Sequence, residues 1–429
     1  METAPRGRIR PGISHASSED ASPEPEPRRG AVLARHLSAA YDAVLSHVKE
    51  RRADYETLPD DDAKRGAVTE MRQLVAGARN LHRSLAWLDA AREPPLDLGT
   101  RYFVEWIAAR LVAPAAEVTV VAGERSYGKV ANPLSPVFAL SGAGSPPDEL
   151  AIVIFVPRRE QRSGLLHPLI VHELAHAADD QHRLVAQVLQ VESERTWLIA
   201  AITAAAEEQA RRTGADDSAT VHALGARLLA WTEEAVCDAF AAQLLGPTYL
   251  YAFMAIVGTS DLDLAGEEHP PTRQRVRLLI EQLDELGWAE RLREASEEID
   301  AWFREAAGVE REYTDPEERF CVEAVGRLAP QIRQVVADHV AELTLDAEAF
   351  SAIHAEIVEL LSAGIPPSQT LDRRPIDRAA IVLGSWLFAV QREGSDLAAL
   401  ARAADVAELS RLLPKALQDA ALIDSWRTE

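Results

Sequence analysis

Two short runs rich in β-branched residues, EVTVVA at 117–122 and LAIVIFV at 150–156, are the only convincing strands in a chain whose other apolar residues recur at helical spacing. This contrast predicts a mostly α protein with a small β-sheet, an α+β fold. Helical patterning starts at Val32, with Leu33, Leu37, Ala40, Val44 and Val48 on one face, and stops near Pro59. Met71, Leu74, Ala78, Leu81, Leu85 and Leu88 then form a heptad seam that Pro94 and Pro95 terminate. The pair reads as a helical hairpin packed on the body, ahead of a dimerising coiled coil. Further helices are expected over about 164–212, 217–245, 247–257, 271–286 and 288–306, with more to the C-terminus and a loop at Pro366 and Pro367. Residues 376–390, containing Trp386, read as a buried helix. The expected division is a disordered, proline-rich tail over 1–29, a helical hairpin over 30–95, a core over 96–286 and a C-terminal helical region over 287–429.

Composition narrows the function classes. Of 429 residues, 47% are hydrophobic, enough for a substantial core, while a formal charge of −23 and the lack of a basic stripe argue against nucleic-acid binding. No apolar run reaches the roughly 20 residues needed to cross a bilayer, and residues 1–30 lack the apolar stretch of a signal peptide. Cys237 and Cys321 are too few for a disulfide framework. A cytoplasmic protein with no membrane partner is expected. The oligomeric state is not specified by any of these features.

The strongest chemical signal is HELAH at 172–176, after a strand and within an apolar helical run. Histidines at i and i+4 project from one helix face, so His172 and His176 can reach a single zinc ion while Glu173 sits beside a metal-activated water. Zinc needs a third protein ligand. In TEEAVCD at 232–238, Glu234 and Asp238 lie four apart, so one can bind the metal while the other accepts a hydrogen bond from a ligating imidazole. His182 competes, since His172 to His182 fits HExxHxxGxxH with Asp179 in place of the glycine that would let the chain leave the helix. That pattern also needs a Met-turn, and the only downstream methionine, Met254, lies in a helical stretch. Glu234 therefore leads, with His182 second and Glu233 third.

HELAH, then EAVCD at 234–238, then HPPTRQR at 269–275, resembles the gluzincin metallopeptidases, especially the soluble relatives of the CAAX prenyl endopeptidase branch. The resemblance covers about residues 150–280 and departs from the branch in placing Cys237 where it has alanine and in lacking membrane helices. It implies a zincin-like core with extra N- and C-terminal helices, a peptide or protein substrate, and Zn²⁺ held by His172, His176 and Glu234. It further implies Glu173 as general base, and His269 and Arg275 as donors to the oxyanion. Asp238 is expected to support a ligand. HPP at 269–271 also suits an ordinary loop-to-helix entry.

The strand at 150–156 can be read as a sheet edge that receives a substrate strand or as a strand buried on both faces. GERSYGKV at 123–130 nearly spells a P-loop, but Val130 cannot replace the magnesium-binding hydroxyl and Pro133 prevents the helix. Residues 141–147 read as a flexible loop, His167 with Pro168 as the first turn of the motif helix, and His339 and His354 as histidines without ligand partners. The expectation is a zinc-dependent hydrolase that cleaves peptide bonds. The alternative is a noncatalytic, peptidase-like helical protein that acts by partner binding.

Overall fold

The computed structural model describes residues 31–55, 57–92, 97–112, 116–122, 127–135, 138, 150–157, 163–214, 216–258, 261–308, 313–394, 396–402 and 409–428. The expected tail over 1–29, the loop over 141–147 and the start of the P-loop-like segment lie outside these residues. The fold is mostly helical with a small mixed sheet, as the patterning predicts.

The sheet contains three strands, where the sequence suggested two: β1 (Ala116–Ala122), β2 (Gly128–Ala131) and β3 (Leu150–Val156), in the order β1-β3-β2. β3 runs parallel to β1, from Ala116↔Leu150 to Ala122↔Val156, and antiparallel to β2, from Gly128↔Phe155 to Ala131↔Ile152. Its nearly unbroken apolar sequence now has a cause. It is the central strand, buried from Ala151 to Val156, and therefore not the edge. The missed strand β2 has only β3 beside it among the described residues.

Helices α1 (Ala31–Tyr55) and α2 (Asp61–Arg92) form the expected hairpin, which covers one face of the sheet. Leu33, Leu37, Ala40 and Leu81 pack with Val121, Val153 and Phe155, and Trp87 meets the Phe155 ring edge-on at 5.1 Å. The Glu117 carboxylate accepts the Ala31 and Val32 N–H groups at 3.1 and 2.5 Å, closing the start of α1 onto β1. The heptad seam is interrupted: Leu81 is buried but Leu85 is 50% exposed, while the side chains of Met71, Leu74 and Ala78 lie outside the described set.

The other face carries α3 (Leu98–Leu111) and the motif helix α4 (Pro168–His182). Pro168 occupies the first position of α4, where its missing N–H costs nothing. The long helix expected over 164–212 is broken. Arg183 adopts φ 54° and ends α4, after which α5 (Leu184–Leu189) and α6 (Glu192–Thr213) follow as separate helices. Asp179 helps set this break, because its carboxylate accepts the Val185 N–H at 2.8 Å.

α7 (Asp217–Leu245) packs along α4, α6 and the long helix Pro316–Val340. Asp216 caps its start by accepting the Ala219 N–H at 3.0 Å. α7 ends at Gly246 and α8 (Pro247–Val257) begins at once. The C-terminal helices belong to the same apolar core rather than to a separate layer: Trp386 is fully buried in Arg378–Glu393, and its indole N–H donates to the Leu165 carbonyl at 2.9 Å. Ser296 divides the region expected as one helix over 288–306 into Ala289–Ala295 and Glu297–Gly308.

Gly246 sets the angle between α7 and α8. It has φ +56°, and an added Cβ would lie 2.9 Å from the Trp288 indole. Gly246→Ala should therefore destabilise the fold by about 1–3 kcal/mol through backbone strain and overpacking. Urea denaturation checks this, and an unchanged midpoint would contradict the proposed constraint.

Candidate metal centre

α4 is packed into the core on most sides through its own Leu169, Ile170, Val171, Leu174, Ala175, Ala177 and Ala178, all buried. The i, i+4 geometry leaves His172 and His176 on its remaining face, with ring centroids 5.0 Å apart and planes at 89°. α7 crosses opposite them and supplies Glu234. His172 Nε2 lies 3.4 Å from Glu234 Oε2, and His176 Nε2 lies 3.3 Å from Glu234 Oε1. Donor atoms of His172, His176 and Glu234 fall within 4.8 Å of one another, so this buried group could hold a metal ion.

The opposite ring nitrogens are engaged elsewhere. His172 Nδ1 is 3.1 Å from Asp238 Oδ1 and 3.1 Å from the Tyr249 hydroxyl, which itself donates to Asp238 Oδ1 at 2.5 Å. His176 Nδ1 is 2.7 Å from Glu233 Oε1. With Nδ1–H directed at a carboxylate, each imidazole would offer its Nε2 lone pair to a metal ion once the Nε2 proton has left. Glu234 Oε2 is buried without a well-formed hydrogen bond, although imidazole and guanidinium nitrogens stand near it. These are the features of a fitted donor set.

α9 (Thr272–Glu285) brings in Arg275. Its Nε and Nη2 donate to the two Asp238 oxygens at 2.7 Å each, its Nη1 is 3.1 Å from Glu234 Oε2, and its guanidinium lies 4.6 Å over the Phe253 ring. His269, on the loop before α9, places Nδ1 3.2 Å from Glu234 Oε2 with its side chain 60% exposed.

Charge compensation governs the protonation states. Burial works against the Asp238 carboxylate, but Arg275 and His172 outweigh it and hold its pKa down at about 2. Burial likewise disfavours the Glu234 carboxylate, and Arg275 and His172 more than reverse that effect. His172 loses cation stability through burial but is pushed up to about 10 by Glu234 and Asp238. His176, where burial is opposed by Glu233 and Glu234, is pushed up as well. Burial also lifts the Cys237 thiol to about 12, leaving it neutral at pH 7, so the carboxylates sustain the His176 cation.

Every residue assigned from the motifs thus converges here except Glu173, which faces the open cleft without an ion pair among the described residues. Glu233, weighed as a third ligand, instead supports His176. His182 stays outside the cluster: it ends α4 exposed, its ring 4.4 Å from that of His339. Met254 is buried within α8, and no Met-turn forms there. Sequence reasoning missed Tyr249, whose signal was a polar-tipped aromatic in an otherwise apolar helix, since a buried Tyr hydroxyl needs a partner. Lys129, set aside with the P-loop-like segment, lies on β2 and pairs with Asp180 of α4 at 2.5 Å. The cleft above the cluster has a volume of about 720 Å³ and is bordered by β2, α4, α7, α8 and the His269 loop. No protein-family model, curated protein or solved structure matches the chain.

Two outcomes are expected. Asp238→Asn should weaken binding of a divalent cation about 10–100-fold, measured by chelator competition, because His172 loses its orienting carboxylate. Cation binding must displace imidazole protons, so affinity should rise with pH through neutrality towards the His172 value of about 10, with proton release at pH 7. Calorimetry in buffers of different ionisation enthalpy measures that release. In the metal-free protein the sign is opposite: a raised imidazole pKa stabilises the fold below the ordinary value of 6.5, and this stabilisation is lost as pH rises through about 10.

Proposed function

We propose that this chain is a zinc metallopeptidase of gluzincin type, with His172, His176 and Glu234 as ligands and Glu173 as general base. The observation that carries this reading is the pairing of each histidine Nδ1 with its own α7 carboxylate, which directs both Nε2 atoms at Glu234. A donor set of two imidazoles and one carboxylate suits zinc and leaves a coordination position for substrate or water. A motif helix against a small mixed sheet, with an edge strand bordering the cleft, further supports a zincin-like core.

Bound there, zinc would supply Lewis acidity and lower the pKa of a water molecule. Glu173 accepts one proton from the attacking water and passes it to the departing nitrogen. The water oxygen bonds to the carbonyl carbon as the C–N bond breaks, giving a carboxylic acid and an amine. His269 reaches into the cleft and donates to the carbonyl oxygen as its negative charge develops. Arg275 has a different task from the oxyanion role suggested by the resemblance: its guanidinium is engaged by Asp238 and Glu234 and fixes those two carboxylates. β2, which among the described residues has only β3 beside it, would be the strand that an extended peptide pairs with, bringing the scissile bond towards α4.

Glu173→Gln should reduce cleavage of an unstructured protein about 10²–10⁴-fold while zinc content stays at wild-type level. Glu234→Ala should lose zinc, as measured by plasma mass spectrometry on folded protein. Equal cleavage by wild type and Glu173→Gln would remove the assigned mechanism. Absence of metal after reconstitution with zinc would leave the partner-binding alternative.

A further inference from the structure

α8 separates two different spaces. Tyr249 meets His172 and Asp238 on one side of the helix, whereas Tyr251, two residues on and about 200° further round, borders a second cavity of about 160 Å³. Trp288, Phe350 and His354 complete its aromatic lining, and Leu383 and Leu387 of the helix Arg378–Glu393 add aliphatic surface. The Phe350 ring centroid lies 5.8 Å from that of Trp288 and 5.4 Å from that of His354. An apolar cavity of roughly 150 Å³ accepts one benzene-sized ring.

Polar atoms distinguish this cavity from a packing void. Tyr251 and Trp288 are fully buried, and the Tyr251 hydroxyl, the Trp288 indole N–H and His354 Nε2 have no hydrogen-bond partner among the described residues. The indole nitrogen can only donate, and burial keeps the phenol protonated, so that it can donate too. The carboxylate whose field reaches the phenol, Asp300, is taken up by Arg304 at 3.0 Å. An unmet buried donor is costly, and the cavity that these side chains border is where a partner can enter.

Charge around the cavity is balanced. Arg291 and Glu294 border it and pair with each other at 2.7 Å. Burial outweighs the nearby Glu294 and holds His354 below the ordinary imidazole value, hence neutral at pH 7. An ionic ligand would meet no uncommitted countercharge among the lining residues, whereas a neutral ring carrying an acceptor oxygen meets aromatic faces and buried donors.

We propose that this cavity is a second binding site, which takes a small uncharged ring compound bearing an acceptor oxygen, with the Trp288 indole and the Tyr251 hydroxyl as the donors. It shares none of the three candidate metal ligands, and the proposal stands independently of the chemistry assigned to the cleft.

The test is ligand-observed NMR titration of the full chain with four single-ring probes: acetophenone, toluene, benzoate and benzylamine. Acetophenone should bind once per chain, about tenfold more tightly than toluene, which has no acceptor, and more tightly than either ion. The double variant Tyr251→Phe, Trp288→Phe removes two unpartnered polar atoms and keeps a ring at each position, so it should erase the preference for acetophenone over toluene. Ala355 is exposed at the edge of the cavity, so Ala355→Phe can obstruct it from outside the core and should weaken both probes about tenfold or more. No binding of acetophenone means that water alone occupies the cavity and overturns the proposal. Tighter binding of benzoate or benzylamine overturns the ligand class, and binding unchanged in Ala355→Phe overturns the location. An acetophenone preference that persists in the folded double variant overturns the donor assignment.

Discussion

Carboxylates placed inside an apolar helix pack must be neutralised, and the candidate centre is organised around that requirement. Glu234 and Asp238 lie side by side on α7, one turn apart and almost wholly buried. Arg275 supplies one positive charge to both, and His172 and His176 supply two more when protonated. Exchanging the two imidazole protons for one divalent cation leaves the buried charge unchanged. Metal-free and metal-bound states can therefore share one packing arrangement, because the electrostatic requirement of the core is met in both.

The distribution of roles over helices follows from this requirement. α4 supplies only imidazoles and the cleft-facing Glu173, while α7 supplies the candidate ligand carboxylate, Glu234, and both supporting carboxylates, Glu233 and Asp238. α8 adds the Tyr249 hydroxyl, and α9 adds the guanidinium. Each helix is held in place by apolar residues of one shared core, so the alignment of charged atoms is a product of ordinary core packing. The C-terminal helices, chemically silent in sequence, contribute through that packing, with Trp386 bonded to the backbone just before α4.

Much of this was legible in the sequence where the signal is local. The i, i+4 histidines and the i, i+4 pair Glu234 and Asp238 specify helix faces directly, and the fold class follows from periodicity. What escaped notice depends on tertiary partners. β2 is four residues, Gly-Lys-Val-Ala, too short and too weak in β propensity to register without β3 beside it. The break at Arg183 has no glycine to announce it and depends on Asp179 reaching forward to the next helix. Glu233 and Glu234 are adjacent carboxylates that sequence alone ranks only loosely. Their division of labour is set by the 100° rotation between neighbouring helical positions, which aims one at Nδ1 of His176 and the other between the two Nε2 atoms.

The concentration of three carboxylates on α7 has a consequence for how such a protein can diversify. One residue inserted into or deleted from α7 between Glu234 and Asp238 would rotate the ligand and the His172 support out of phase by more than a quarter turn, so the register of that helix is fixed as a unit. The last turn of α8 and the loop through Glu268 carry no such shared phase: they border the cleft but hold none of the three donor atoms. Substitutions there can change what enters the cleft while the buried charge pattern stays as it is. The chain thus separates a rigid electrostatic frame from an adjustable rim, and selection can act on one without disturbing the other.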